Sequence, residues 1–234
     1  MNNLLLEYME ARVTEKSGIK QLHGPVITIS REAGCSAGLI AGKLQHCINN
    51  KLSAAKNSHL WRTINREVVE KAARELHLDP TKISYVFRAE AKTLIDDVLE
   101  ALSTKYYKSD ISIRKTIVDV IRSMSDEGYS IMVGRGAVAF TKGKKESLNV
   151  MLQAPIDWRI EVIRKKHLVS EREAENFIKQ TDKERALLLE HFYKKKTDHT
   201  IYDVIFNCES FSVDQIVESI FYLADMKGIL SVIE

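Results

Sequence analysis

Short runs of apolar and β-branched residues, spaced between longer stretches of helical periodicity, dominate the pattern along this chain. Val26-Ile27-Thr28-Ile29-Ser30 is the first, and "YSIMVGR" at 129–135, "LNVMLQA" at 148–154 and "YDVIFNC" at 202–208 repeat its character. Such runs, bounded by turn residues and apolar on both faces, predict strands buried in a parallel sheet. "LWRTI" at 60–64 supplies a shorter fifth candidate. Between them lie helices: one over 38–52, and others announced by Asp79-Pro80, by Ser170 with Glu173 and by Ser212 with Gln215, which are N-terminal capping signals. Alternating strands and helices predict an α/β fold. The nearly strand-free region from about 66 to 127 breaks the alternation and reads as a helical insertion on the ligand side of the sheet, with the charged region 156–196 as a second. Residues 3–13 could form a short amphipathic helix, and 1–23 stand as an extension before a single domain over 24–234.

Composition narrows the class. With 234 residues, 44% hydrophobic and 29% charged, the chain can bury a full core. No apolar run reaches the roughly 20 residues of a membrane span, and no basic start precedes an apolar core, so the expectation is a cytoplasmic protein without a membrane partner. The net charge of +3 is too small to imply nucleic acid. Much of the positive charge gathers between Arg159 and Lys196. Cys35, Cys47 and Cys208 are odd in number and lack CxxC spacing, which argues against a disulfide framework or a zinc site, and the seven histidines show no ligand spacing. His167, His191 and His199 read as surface residues of the second insertion. No metal-ligating residues are assigned.

Candidate chemistry begins after the first strand. Gly34-Cys35-Ser36-Ala37-Gly38 is a loop of small residues feeding a helix, whose exposed N–H groups and dipole favour phosphate. The loop departs from GxxxxGK[ST], and the nearby Gly42-Lys43 falls inside the helix, so an ordinary tight strand-to-helix turn stays open beside the phosphate reading. "VGRGA" puts Gly134, Arg135 and Gly136 at the carboxyl end of another strand, where ligands bind in open parallel sheets. Arginine there can grip a phosphate with two parallel hydrogen bonds. The same run reads as GxGxxA, a dinucleotide motif with Asp157 as its distant acid. Against this, the segment Ala137 to Asn149 leaves little room for a crossover helix.

Taken with "INREVVEKAARELHL" at 64–78, "IMVGRGA" at 131–137 and "QTDKERALLLEHFYKKK" at 180–196, the chain resembles the cytidylate kinase-like family, a branch of the nucleoside monophosphate kinases within the P-loop fold. The likeness runs from about residue 25 to 225. It implies a three-layer fold with a central parallel sheet ordered 2-3-1-4-5, a helical acceptor-binding insertion and a helical lid. It also implies ATP, with magnesium brought by the nucleotide, and phosphoryl transfer to a small phosphorylated acceptor such as CMP. The kinase-like branch tends to read S-R-E-x-G-S-G-G-R-E-I, which Ser30-Arg31-Glu32 and Gly34 fit. Aligned with the kinases proper, Ala37 stands at the lysine and Leu39 at the magnesium-holding threonine, so the loop is degenerate. Arg31 is the nearest replacement cation, with a structural ion pair to Glu32 as its alternative. By resemblance Arg135 and Arg66 contact the acceptor, Asn65 replaces a family aspartate, and Arg159, Arg164, Asp182 and Arg185 match the lid arginines and acid. Asp182 orients Arg185 in this reading, while Tyr193 packs near nucleotide or in the core. A non-catalytic nucleotide-binding or sensor protein, and a kinase for a different small-molecule acceptor, remain alternatives, and both a monomer and a homo-oligomer stay open.

Overall fold

The structure is a computed structural model, and it describes residues 24–54, 59–65, 118–193 and 198–230. Its centre is a five-stranded sheet formed by β1 (Val26–Arg31), β2 (Arg62–Ile64), β3 (Ser130–Val133), β4 (Ser147–Gln153) and β5 (Val204–Asn207). The strands lie in the order β2-β3-β1-β4-β5 and every pairing is parallel. This is the order that the family resemblance implied. All carboxyl ends therefore point one way, and the loops that leave β1, β3 and β4 share one edge.

The reason these segments form central strands is visible in their burial. Val26, Ile27 and Ile29 of β1, Ile131 and Met132 of β3, and Leu148, Val150 and Leu152 of β4 are all buried, and consecutive burial requires cover on both faces. β5 starts two residues later than the run 202–208 suggested, because a one-turn 3-10 helix, His199–Ile201, is capped by Asp198 just before it.

One face is covered by α1 (Ala37–Ala54) and α6 (Val213–Met226). Ile40, Leu44, Ile48 and Leu52 recur every fourth position of α1 and make its buried stripe, while α6 contributes Ile216, Val217, Ile220 and Ala224. Ion pairs Lys43–Asp214 and Lys51–Asp225 join the two helices at the surface. Lys43 is thus a surface residue in this state. Asn49 of α1 donates to the carbonyl of Trp61 and accepts from its N–H, which fixes the entry to β2.

Helical residues 118–127 form α2, and α3 is the single turn Val138–Thr141, the little room for a crossover that the sequence implied. α4 (Ile156–His167) and α5 (Glu171–Tyr193) make a helical hairpin within the lid region. Its α5 starts at the expected capping box, with Ser170 and Glu173 bonded reciprocally. The second box, Ser212 with Gln215, opens α6. Among the described residues, no helix is long and apolar enough to cross a membrane. The Asp79-Pro80 signal and the bulk of the acceptor-binding insertion lie outside the described residues.

Candidate functional site

The hairpin has a small core of its own, and that core locates the site. Ile160 and Ile163 of α4 pack with Ala174 and Ile178 of α5, and the fifth buried member is Ala33, from the loop after β1. The hairpin is therefore built onto the loop, not beside it. Polar bonds repeat the connection. The Ala33 N–H donates to Asp182 Oδ1 at 2.7 Å, and Arg185 Nη1 donates to the carbonyl of Arg31 at 3.1 Å.

Arg159 is the keystone of this junction. It is only 8% exposed, donates from Nε to the Ala154 carbonyl at 3.0 Å and from Nη1 to Asp182 Oδ2 at 2.5 Å, and lies 3.4 Å from Glu32 Oε2. Glu32 in turn accepts from the Ala154 N–H. Gly34 has φ +96°, and a Cβ there would stand 3.2 Å from Arg159 Cβ, so glycine lets the loop lie against the arginine. Glu32 is thus engaged by Arg159, which leaves Arg31 to another purpose.

Arg31 reaches sideways across the carboxyl ends of the strands. Its Nη1 occupies the place where a Cβ on Gly134 would sit, at 1.6 Å. Gly134, Arg135 and Gly136 all have left-handed φ values, 69°, 57° and 66°, which coil this segment tightly at the end of β3. Gly136 also makes room for Phe192, the neighbour of Tyr193 at the end of α5. Arg135 and Arg185 both fall within electrostatic reach of Arg31. Burial, then Arg185 and Arg135, push Arg31 down to about 9, and Asp182 opposes them. Burial also lowers Arg185, with Asp182 again opposing. A guanidinium gives up its proton reluctantly, so this crowding of cations is relieved best by an anion.

Not every anticipated residue joins the cluster. Arg164 of α4 pairs instead with Glu161 at 2.5 Å, both half exposed. Lys142 Nζ lies 5.7 Å from the Tyr193 ring centre, which sets that ring on the α3 side. His167, His191 and His199 are exposed, as expected for surface residues. Arg66 lies outside the described residues. In the loop, Ser36 and Gly38 are exposed at the start of α1, while Cys35 and Ala37 are buried beneath. One relation was not visible in the sequence: Cys35 lies in the main core, and Cys208, just past β5, packs against that same core.

A loop of small residues feeding a helix at the edge of a parallel sheet ordered β2-β3-β1-β4-β5 invites comparison with known families. The model of the cytidylate kinase-like family matches residues 26–210. The chain belongs to this family. Nothing among curated proteins matches it. Among solved structures, an uncharacterized protein from Eubacterium ventriosum ATCC 27560 is 21% identical with a TM-score of 0.59, covering 88% of this chain and 99% of that one. That likeness extends the shared fold over nearly the whole of both molecules. Shikimate kinase from Bacteroides thetaiotaomicron is 15% identical with a TM-score of 0.42, over 86% of this chain and 98% of that one. TT1252 from Thermus thermophilus is 14% identical with a TM-score of 0.38, over 86% and 98%.

Proposed function

We propose that this member of the cytidylate kinase-like family transfers a phosphoryl group from ATP to a small phosphorylated acceptor, a nucleoside monophosphate such as CMP being the leading one. The observation that carries the reading is the convergence of Arg31, Arg135 and Arg185 on the carboxyl edge of the sheet. Phosphoryl transfer asks chiefly for positioning and for positive charge around the moving group. Where the loop of the cytidylate kinases proper has a lysine this chain has Ala37, and the three guanidiniums supply the charge from outside the loop. An oxygen of the acceptor's phosphate attacks the γ-phosphorus, the bond to the bridging oxygen breaks, and ADP leaves with the electron pair.

In this reading Arg31 and Arg185, with the exposed start of α1 at Ser36 and Gly38, hold the ATP phosphates. Arg135 and Arg66 hold the acceptor. Arg159 and Asp182 position the loop against the lid, and Arg164 closes on the phosphates from α4. Magnesium would come with the nucleotide and neutralise phosphate charge.

Leu39 and Ala37 favour a second reading, nucleotide binding without transfer. ADP release from ATP and magnesium, measured across nucleoside monophosphates beside an Arg135→Ala control, separates the two. Acceptor-dependent release that vanishes in the control is the expected result. Tight ATP binding with no release for any acceptor would leave the binding protein.

A further inference from the structure

The Asp182 carboxylate sits where an anionic ligand of the loop after β1 would be held. Its Oδ1 accepts from the Ala33 N–H at 2.7 Å and lies 3.5 Å from Arg185 Nη1, while Oδ2 accepts from Arg159 Nη1 at 2.5 Å. One backbone N–H and two guanidiniums form a donor set that suits a phosphoryl group as well as a carboxylate. α5 delivers the carboxylate and one of those guanidiniums together, three residues apart on one side of the helix, and Arg185 Nη1 also donates to the Arg31 carbonyl at 3.1 Å. The place is open to solvent from one side. The Asp182 and Arg185 side chains are 26% and 33% exposed, whereas that of Arg159, beneath them, is 9% exposed.

We propose that Asp182 is a specificity-determining residue: its carboxylate competes with the ligand's phosphoryl group for the Ala33 N–H and the Arg185 guanidinium, and so excludes anions that bring a single phosphate. This rests on the phosphate-site reading above. Two anions cannot share those donors, because like charges a few ångströms apart repel strongly at a site partly withdrawn from water. A phosphate therefore enters by moving the carboxylate aside. Arg159 keeps partners when that happens, since the Ala154 carbonyl still accepts from its Nε and Glu32 Oε2 lies 3.4 Å away.

Displacing the carboxylate costs the same whichever anion does it, and this sets a threshold. Orthophosphate has little to gain beyond the contested donors, so the cost removes most of its affinity. Pyrophosphate or ATP brings further phosphates, which reach Arg31 and the exposed start of α1 at Ser36 and Gly38, and their contacts outlast the cost. Specificity here comes from a repulsive element built into the site beside the attractive ones.

The test compares the full chain with Asp182→Asn, which keeps the side chain's size and an oxygen for the Ala33 N–H but removes the charge. Calorimetry reads the binding of orthophosphate and of pyrophosphate to each. Orthophosphate should bind Asp182→Asn at least about tenfold more tightly than wild type, and pyrophosphate should gain as well. A carboxylate that only orients Arg185 predicts the reverse, so equal or weaker binding by the variant overturns the proposal while leaving the phosphate site in place. Pyrophosphate that binds neither protein overturns the phosphate-site reading and the proposal with it. Wild type gives a check that needs no variant. In crystals grown with pyrophosphate, the anion should accept from the Ala33 N–H with the Asp182 carboxylate moved off it. A carboxylate still hydrogen-bonded to Ala33 beside the bound anion overturns the proposal.

Discussion

Asp182 answers three groups with one carboxylate: the Ala33 N–H, Arg159 and, at 3.5 Å, Arg185. Removing it leaves the buried Arg159 with Glu32 alone, 3.4 Å away, and takes the acceptor from the Ala33 N–H, and both losses are expensive at a buried charge. Because Asp182 itself is about a quarter exposed, Asp182→Ala should cost about 2–3 kcal/mol, less than a fully buried pair. Thermal denaturation should show this as a midpoint lower by about 4–12 °C, and a loss under about 1 °C would sink the keystone assignment. Arg31 should behave in the opposite way. It is a buried cation crowded by two others, so Arg31→Met should leave the midpoint level or higher while ATP affinity drops at least about tenfold, measured by calorimetry. A lower midpoint with intact affinity would make Arg31 structural. Arg164→Ala should cost under about 1 kcal/mol in the same denaturation, because its pair with Glu161 is half exposed. The sequence disclosed which residue types stand at this edge, since Arg31 ends β1, Arg135 follows β3 and Arg185 lies in the charged helix α5. It did not disclose that Glu32 belongs to Arg159, because neither residue type nor spacing encodes which of two arginines wins one carboxylate.

The turn after β3 shows what an element contributes beyond its side chains. Three consecutive left-handed residues form a tight coil, and the space over the first is filled by the Arg31 guanidinium. Gly134→Ala adds a methyl where Nη1 now lies and strains a φ of +69°. The strain should cost about 1–2 kcal/mol, read by denaturant unfolding. The displaced guanidinium should weaken ATP binding although every charge remains, and unchanged affinity would mean that Arg31 finds its phosphate from another rotamer. Elements themselves were legible where the pattern was strong. Continuous apolar runs marked the central strands, and capping boxes marked α5 and α6, because those signals are local. The hairpin's attachment through Ala33 was not legible, since an alanine in a loop carries no periodicity.

At the scale of the whole molecule, the strand order decides what the arginines can do. With β1 flanked by β3 and β4, the loops bearing Arg31 and Arg135 open side by side, and the hairpin after β4 brings Arg185 over them. That order was expected from a resemblance, because periodicity fixes strands but not their neighbours. The molecule carries only +3 net charge, so the proposed binding of phosphate has to come from this edge and not from the surface at large. A ligand that binds the folded state alone raises stability by mass action, about 2.7 kcal/mol at one hundred times its dissociation constant. For a chain of this size that corresponds to a midpoint higher by about 5–11 °C. Pyrophosphate, which has no base or sugar to recognise, should produce such a rise by itself, and the rise should persist in part at high salt because the arginines are partly buried. Arg31→Met should abolish it. An equal rise in wild type and Arg31→Met would place the anion elsewhere on the surface, and with it would go the claim that three arginines replace the lysine this loop lacks.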